Sequence, residues 1–114
     1  MNQMEIVNKI NQLRAYCEKY IFVNFDKNSF TLKHNIEKNL YGALENVLYA
    51  NVNVGNIRGK YLKDLLVNIM ILDAYFREAY DKKIFKKRRF NCLNGFLSEI
   101  RKMCYGLIAY VKNK

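Results

Sequence analysis

The chain has 114 residues, 51% of them hydrophobic, and a formal net charge of +10. That length suits one domain, taken as residues 1–114, and the apolar share excludes a disordered chain. There is no proline to interrupt a helix, and no uncharged run approaches the roughly 20 residues of a membrane span.

Ile6, Ile10, Leu13, Cys17, Tyr20 and Ile21 recur at three- and four-residue steps, which puts them on one face of a helix over about 4–23. Glu5, Lys9, Gln12, Arg14 and Lys19 fall on the wet side. Residues 24–29 hold Asn24, Asp26, Asn28 and Ser29, whose side chains bond nearby backbone and compete with helix, so a loop is expected. Ser29 or Thr31 is placed to cap the next helix. Leu32, Ile36, Leu40, Ala43, Leu44, Val47 and Leu48 then continue with helical period to about residue 50. Gly42 costs that helix some stability and offers a neighbouring helix room to approach. Residues 51–59 carry two glycines and three asparagines without helical pattern and are expected as a second loop.

A third helix is expected over 60–79, with Leu62, Leu65, Leu66, Ile69, Leu72 and Phe76 as its core stripe. Val67, Met70, Ile71 and Ala74 lie largely off that stripe. A helix apolar on nearly two faces is usually covered twice, which favours a subunit contact there over a central position in an uneven bundle. The fourth helix, over 87–111, has Phe90, Leu93, Leu97, Ile100, Cys104, Leu107, Ile108 and Val111 as its stripe. The closing Lys112, Asn113 and Lys114 set cations where a helix C-terminus favours them. Four such helices with short connections predict an all-α, antiparallel up-down-up-down four-helix bundle.

The charge is uneven. Residues 1–57 hold six Lys and Arg against five Asp and Glu, whereas residues 58–114 hold fourteen against five. Residues 82–89 concentrate this surplus, reading Lys-Lys-Ile-Phe-Lys-Lys-Arg-Arg. Like charges so close repel one another, and a polyanion relieves that repulsion; phosphate backbones are the commonest in a cell. The candidate RNA or DNA contacts are therefore Lys82, Lys83, Lys86, Lys87, Arg88 and Arg89 at the joint between the third and fourth helices. Arg58, Lys60 and Lys63 form a second patch at the other end of the third helix. Tyr80, Phe85 and Phe90 interleave with the main cluster. Aromatics beside cations can stack unpaired bases, although Phe85 and Phe90 are expected to close the core. No base-reading motif accompanies the cations, so backbone contacts are expected. No basic amphipathic terminal helix or lipidation motif points to a membrane partner.

Catalytic chemistry is scarce. His34 is the single histidine, without a nucleophile motif beside it. Cys17, Cys92 and Cys104 form no Cys-x-x-Cys pair, and the last two sit about 120° apart around an ideal helix. There is no Glu-x-x-His motif and no glycine-rich phosphate loop. Asp64, Asp73, Glu78 and Glu99 are spaced as surface acids paired with nearby Lys and Arg. The expectation is a non-enzyme with no metal or cofactor. The odd cysteine count and the lack of an export pattern imply reduced thiols and a cytoplasmic location.

Phe30-Thr31-Leu32, opening the second helix, resembles the Phe/Tyr-Thr-Leu entry of a bacterial four-helix-bundle superfamily that includes the ribosomal intervening-sequence proteins. Tyr61-Leu62, Ile71-Leu72 and Phe76-Arg77 are similar to the third helix of one branch, the accessory variability determinant (Avd) proteins of diversity-generating retroelements. Ile84-Phe85-Lys86-Lys87-Arg88-Arg89-Phe90, then Leu93, Leu97, Glu99-Ile100 and Gly106, are similar to that family's last joint and helix. The resemblance implies a homopentameric barrel that binds nucleic acid and a reverse transcriptase, supporting mutagenic copying of template RNA into variable genes. Without the resemblance, the same residues fit an rRNA- or ribosome-associated bundle, or an oligomeric scaffold whose charge only maintains solubility.

Overall fold

The apolar steps of the sequence become four helices around one core. A computed structural model describes residues 3–112 and contains α1 (Gln3–Tyr16), α2 (Phe30–Asn51), α3 (Gly55–Asp81) and α4 (Lys87–Lys112). No strand occurs among the described residues. Asn113 and Lys114, expected at the end of the last helix, lie outside them. Helices α2 and α4 each pack against both α1 and α3, and the molecule measures 46 × 23 × 19 Å. None of the described helices is long and apolar enough to cross a membrane.

The core takes Ile6, Ile10 and Leu13 from α1, Ile36, Leu40 and Val47 from α2, Leu65, Ile69 and Phe76 from α3, and Leu93, Leu97 and Ile100 from α4. Each such side chain contributes roughly 1.5–3 kcal/mol on leaving water, against a conformational entropy cost of similar total size. Leu44, Leu66 and Val111, expected in the core, are only partly buried at its edge, and Leu48 is exposed. These four sit at the flanks of their stripes, where a helix of 3.6 residues per turn drifts away from its neighbours.

The first expected helix does not continue unchanged to residue 23. After Tyr16 it widens into a π turn, Cys17–Ile21, closed by the Phe22 N–H donating to the Cys17 carbonyl. A short 3-10 turn, Phe22–Asn24, follows. The widened turn buries both Cys17 and Ile21 and leaves Tyr20, expected in the core, half-buried at the surface. The Asn24 amide ends the segment by donating to the Tyr20 carbonyl at 2.7 Å.

Neither Ser29 nor Thr31 caps α2 as expected. Ser29 precedes α2 but makes no capping bond to it. Instead Asp26 caps the 3-10 turn Lys27–Ser29, its carboxylate accepting from the Asn28 and Ser29 N–H groups, while the Ser29 hydroxyl accepts from the Asp26 N–H. The capping box is thus moved one turn upstream.

The second expected loop is also shorter. Only residues 52–54 connect α2 to α3, and α3 starts at Gly55, whose φ of 60° suits a residue without a Cβ. Asn56 to Gly59 have poor helix propensity, yet tertiary bonding overrides it. The Arg58 Nε donates to the Ala50 carbonyl at 2.9 Å and pins the first turn of α3 to the last turn of α2.

A polar ladder fixes the α2 and α3 contact. The Asn46 amide donates to the Asn68 Oδ1 at 2.7 Å, and the Asn68 amide donates to the Asn39 Oδ1 at 3.2 Å. A Cβ on Gly42 would come within 3.0 Å of the Asn68 Nδ2. Glycine thus gives the ladder its room. Gly42→Ala should stabilise an Asn68→Ala background by about 1 kcal/mol, the usual helix-interior gain. In the native background the displaced ladder should cancel or reverse that gain. Urea titration of the double-mutant cycle measures the coupling; equal effects in both backgrounds would remove the steric role.

The second apolar face of α3 is real. Val67 is 51% and Met70 66% exposed, and Ala74 is exposed beside them, with Ile71 half-buried at the edge.

Candidate nucleic-acid interface

Helix α3 ends in a tight reversal. The Lys83 N–H donates to the Tyr80 carbonyl and the Ile84 N–H to the Ala79 carbonyl, with Lys83 in the left-handed region at φ 62°. This is the paired bonding of a Schellman ending, where glycine is the usual occupant. Lys83→Gly should therefore raise the unfolding free energy by up to about 1 kcal/mol, since the left-handed conformation strains a residue with a Cβ. A lower urea midpoint for that variant would contradict the strained ending.

The reversal turns apolar groups inwards and cations outwards. Tyr80 and Phe90 stack with centroids 4.5 Å apart and planes 5° from parallel, and Tyr80 also stacks on Phe85 at 6.5 Å. Phe85 and Phe90 are only 6% and 9% exposed. These aromatics close the core, as expected for Phe85 and Phe90, and have little surface left for bases. The Lys86 carbonyl then accepts from the Arg89 and Phe90 N–H groups and opens α4. No acid stands in the first turn of α4. Lys87, Arg88 and Arg89 stand there instead, although a helix N-terminus favours anions.

A cleft of about 430 Å³ lies between this joint and the π turn. Lys83, Lys86, Arg88 and Arg89 line it from one side, and Lys19 and Tyr20 from the other. No Asp or Glu lines it. Among the described residues none of these five cations has an ion pair. Arg89 is half-buried, its guanidinium carbon 4.2 Å from the Tyr20 ring centroid and 5.9 Å from that of Tyr16. Its Nη1 reaches the Tyr16 hydroxyl at 3.5 Å. Burial, with Cys92 alongside, pushes the Tyr16 phenol up, while Arg89 pulls it down. Tyr16 is thus a neutral hydroxyl at physiological pH and leaves the Arg89 charge uncancelled.

The other candidate cations are placed differently. Lys82 turns back to Glu78 at 3.1 Å, and Lys87 is exposed on α4 without lining the cleft. Arg58, Lys60 and Lys63 lie near the opposite end of α3. The Arg58 Nε is held by the neutral Ala50 carbonyl, which leaves its charge uncancelled, and Lys60 pairs with Asp64 at 3.2 Å. Arg58 also belongs to the first turns of α3, not to a loop. Of the other two acids expected to pair with nearby cations, Asp73 does so with Arg77, whereas Glu99 reaches across to Lys9 on α1.

Lys19, Tyr16 and Tyr20 were not among the sequence candidates. One signal pointed to Tyr20: after Cys17, Tyr20 and Ile21 compete for the same stretch of core stripe. The thiols follow burial. It pushes the Cys17 thiol far up and that of Cys104 to about 12, and the Cys104 Sγ donates to the Leu62 carbonyl. Both are packing groups, whereas Cys92 is exposed. Among the described residues no group of three or more His, Cys, Asp or Glu gathers where it could hold a metal. Comparison of the chain with protein-family models, with curated proteins and with solved structures finds no match in any of the three.

Proposed function

We propose that this chain is a non-enzymatic nucleic-acid-binding accessory protein, of the kind that serves a reverse transcriptase in a diversity-generating retroelement. One observation carries the binding half of this reading: the acid-free cleft that gathers Lys19, Lys83, Lys86, Arg88 and Arg89. Five cations brought together without a counter-charge keep their repulsion until a phosphate backbone relieves it. The reverse transcriptase enters through the resemblance of 84–90 and the segments around it to Avd proteins.

The assembly belongs to the same reading. Contacts between neighbouring helices pair residues near the start of one with residues near the end of the other: Tyr61 with Tyr49, Leu62 with Cys104, and Arg89 with Tyr16. That order supports an antiparallel up-down-up-down bundle. Exposed Val67 and Met70 on the outer face of α3 support an oligomer. In a homopentameric ring the cleft would recur around one rim and multiply a local patch into a basic band.

The test is a titration of labelled RNA and DNA across salt concentrations, with a pull-down of a retroelement reverse transcriptase. The expected result is co-purification and a log-log salt plot with a steep negative slope. Absence of nucleic-acid binding at moderate salt would leave the scaffold reading, and a monomer at micromolar concentration would remove the ring.

A further inference from the structure

We propose that the cleft takes unpaired rather than duplex nucleic acid, with one base laid against the Arg89 and Tyr20 stack and the flanking phosphates on Lys83, Lys86 and Arg88. This rests on the nucleic-acid reading above and names the form of nucleic acid that the site selects.

Three observations carry it. The first is the presence of a flat apolar group inside a basic cleft. A site that only neutralised a duplex backbone would need cations on an open surface. This one places the Tyr20 ring among its walls, with Arg89 over that ring at 4.2 Å. Aromatic rings and guanidinium planes are the surfaces on which splayed bases stack. Bases within a duplex already stack on one another and cannot enter.

The second is how Tyr20 gets there. The π turn makes room for Cys17 and Ile21 in the core and leaves Tyr20 at the surface facing the joint. Such turns are uncommon and concentrate at functional sites. Lys19 is carried to the cleft wall by the same turn. The third is the state of Arg89. It has no carboxylate partner among the described residues, and of its several N–H donors only Nη1 meets a protein acceptor. Two tyrosines hold it in place while its charge and most of its donors stay unspent. A cleft of about 430 Å³ falls within the range of roughly 300–1,000 Å³ for small-ligand sites. It has room for one nucleotide.

The experiment compares a labelled single-stranded RNA of about a dozen nucleotides with the same strand annealed to its complement. Anisotropy is measured for the native chain, Tyr20→Leu, Tyr20→Phe and Arg89→Lys. The native chain should bind the single strand more tightly. Tyr20→Leu should weaken the single strand about tenfold, leave the duplex unchanged, and keep the salt slope, since no charge is lost. Tyr20→Phe keeps the ring and should restore binding. Arg89→Lys keeps the charge but not the plane, and should also weaken the single strand selectively. It supplies an independent arm if Tyr20→Leu disturbs the π turn. Equal binding of both forms, or equal losses on both in the Tyr20 and Arg89 variants, would overturn the stacking site and leave the phosphate patch standing. No binding of either form would overturn the nucleic-acid reading itself.

Discussion

Replacing Lys86, Lys87, Arg88 and Arg89 together by glutamine should weaken nucleic-acid binding by about 100-fold at low salt, and flatten the log-log salt slope by about 2–3 units. Three of the four line the cleft, and Lys87 is exposed one residue outside it. Each phosphate contact removed takes roughly 0.7–0.9 from the slope, which sets the expected change. Loss of fold would not explain the result. None of the four has an ion pair among the described residues. Neutralising cations in the first turn of α4 also relieves their clash with the helix dipole. Loss of the Arg89 contacts with Tyr16 and Tyr20 offsets that relief, so the quadruple variant should melt near the native temperature. A native salt slope in that variant would deny the joint any role in binding. Neutralising Arg58, Lys60 and Lys63 should do less to the slope, because none of them lines the cleft and Lys60 is already paired with Asp64.

The largest stability effect should come from Phe76→Ala, with a loss of about 3–5 kcal/mol in unfolding free energy. Phe76 lies in α3, is 0% exposed, and is among the largest fully buried side chains. Its removal deletes a ring from a core whose neighbours are held on rigid helices and cannot collapse far. Domains of this size are stable by about 5–15 kcal/mol, so the variant should sit near the edge of folding. Urea or thermal denaturation measures it; a loss below about 1 kcal/mol would mean that the packing around Phe76 is looser than described. On the same helix, Met70→Ala should stay within about 0.5 kcal/mol in dilute monomer, because Met70 is exposed.

Much of the fold was legible because helix formation and burial both act through local spacing. Most of the expected stripe residues of α3 and α4 are buried, and Phe85 and Phe90 close the core. The basic joint was legible too, since six cations in eight residues need no tertiary information to be noticed. Positions with two competing local solutions were less readable. Tyr20 and Ile21 both suit the core stripe, and only the π turn settles which one enters. Residues 55–59 have loop-like propensity, but the Arg58 bond to the Ala50 carbonyl favours starting α3 early.

By itself, then, the sequence determined four helices, their buried faces and a surplus of positive charge at one joint, because apolar period and charge density are properties of neighbouring residues. The tertiary structure alone decided which cations share a cleft and which are held elsewhere. Lys82 goes to Glu78 and Arg58 to a backbone carbonyl, while Arg89 meets Tyr16 across a separation of 73 residues. Pairings at that range depend on how helices pack, and no spacing rule along the chain encodes them.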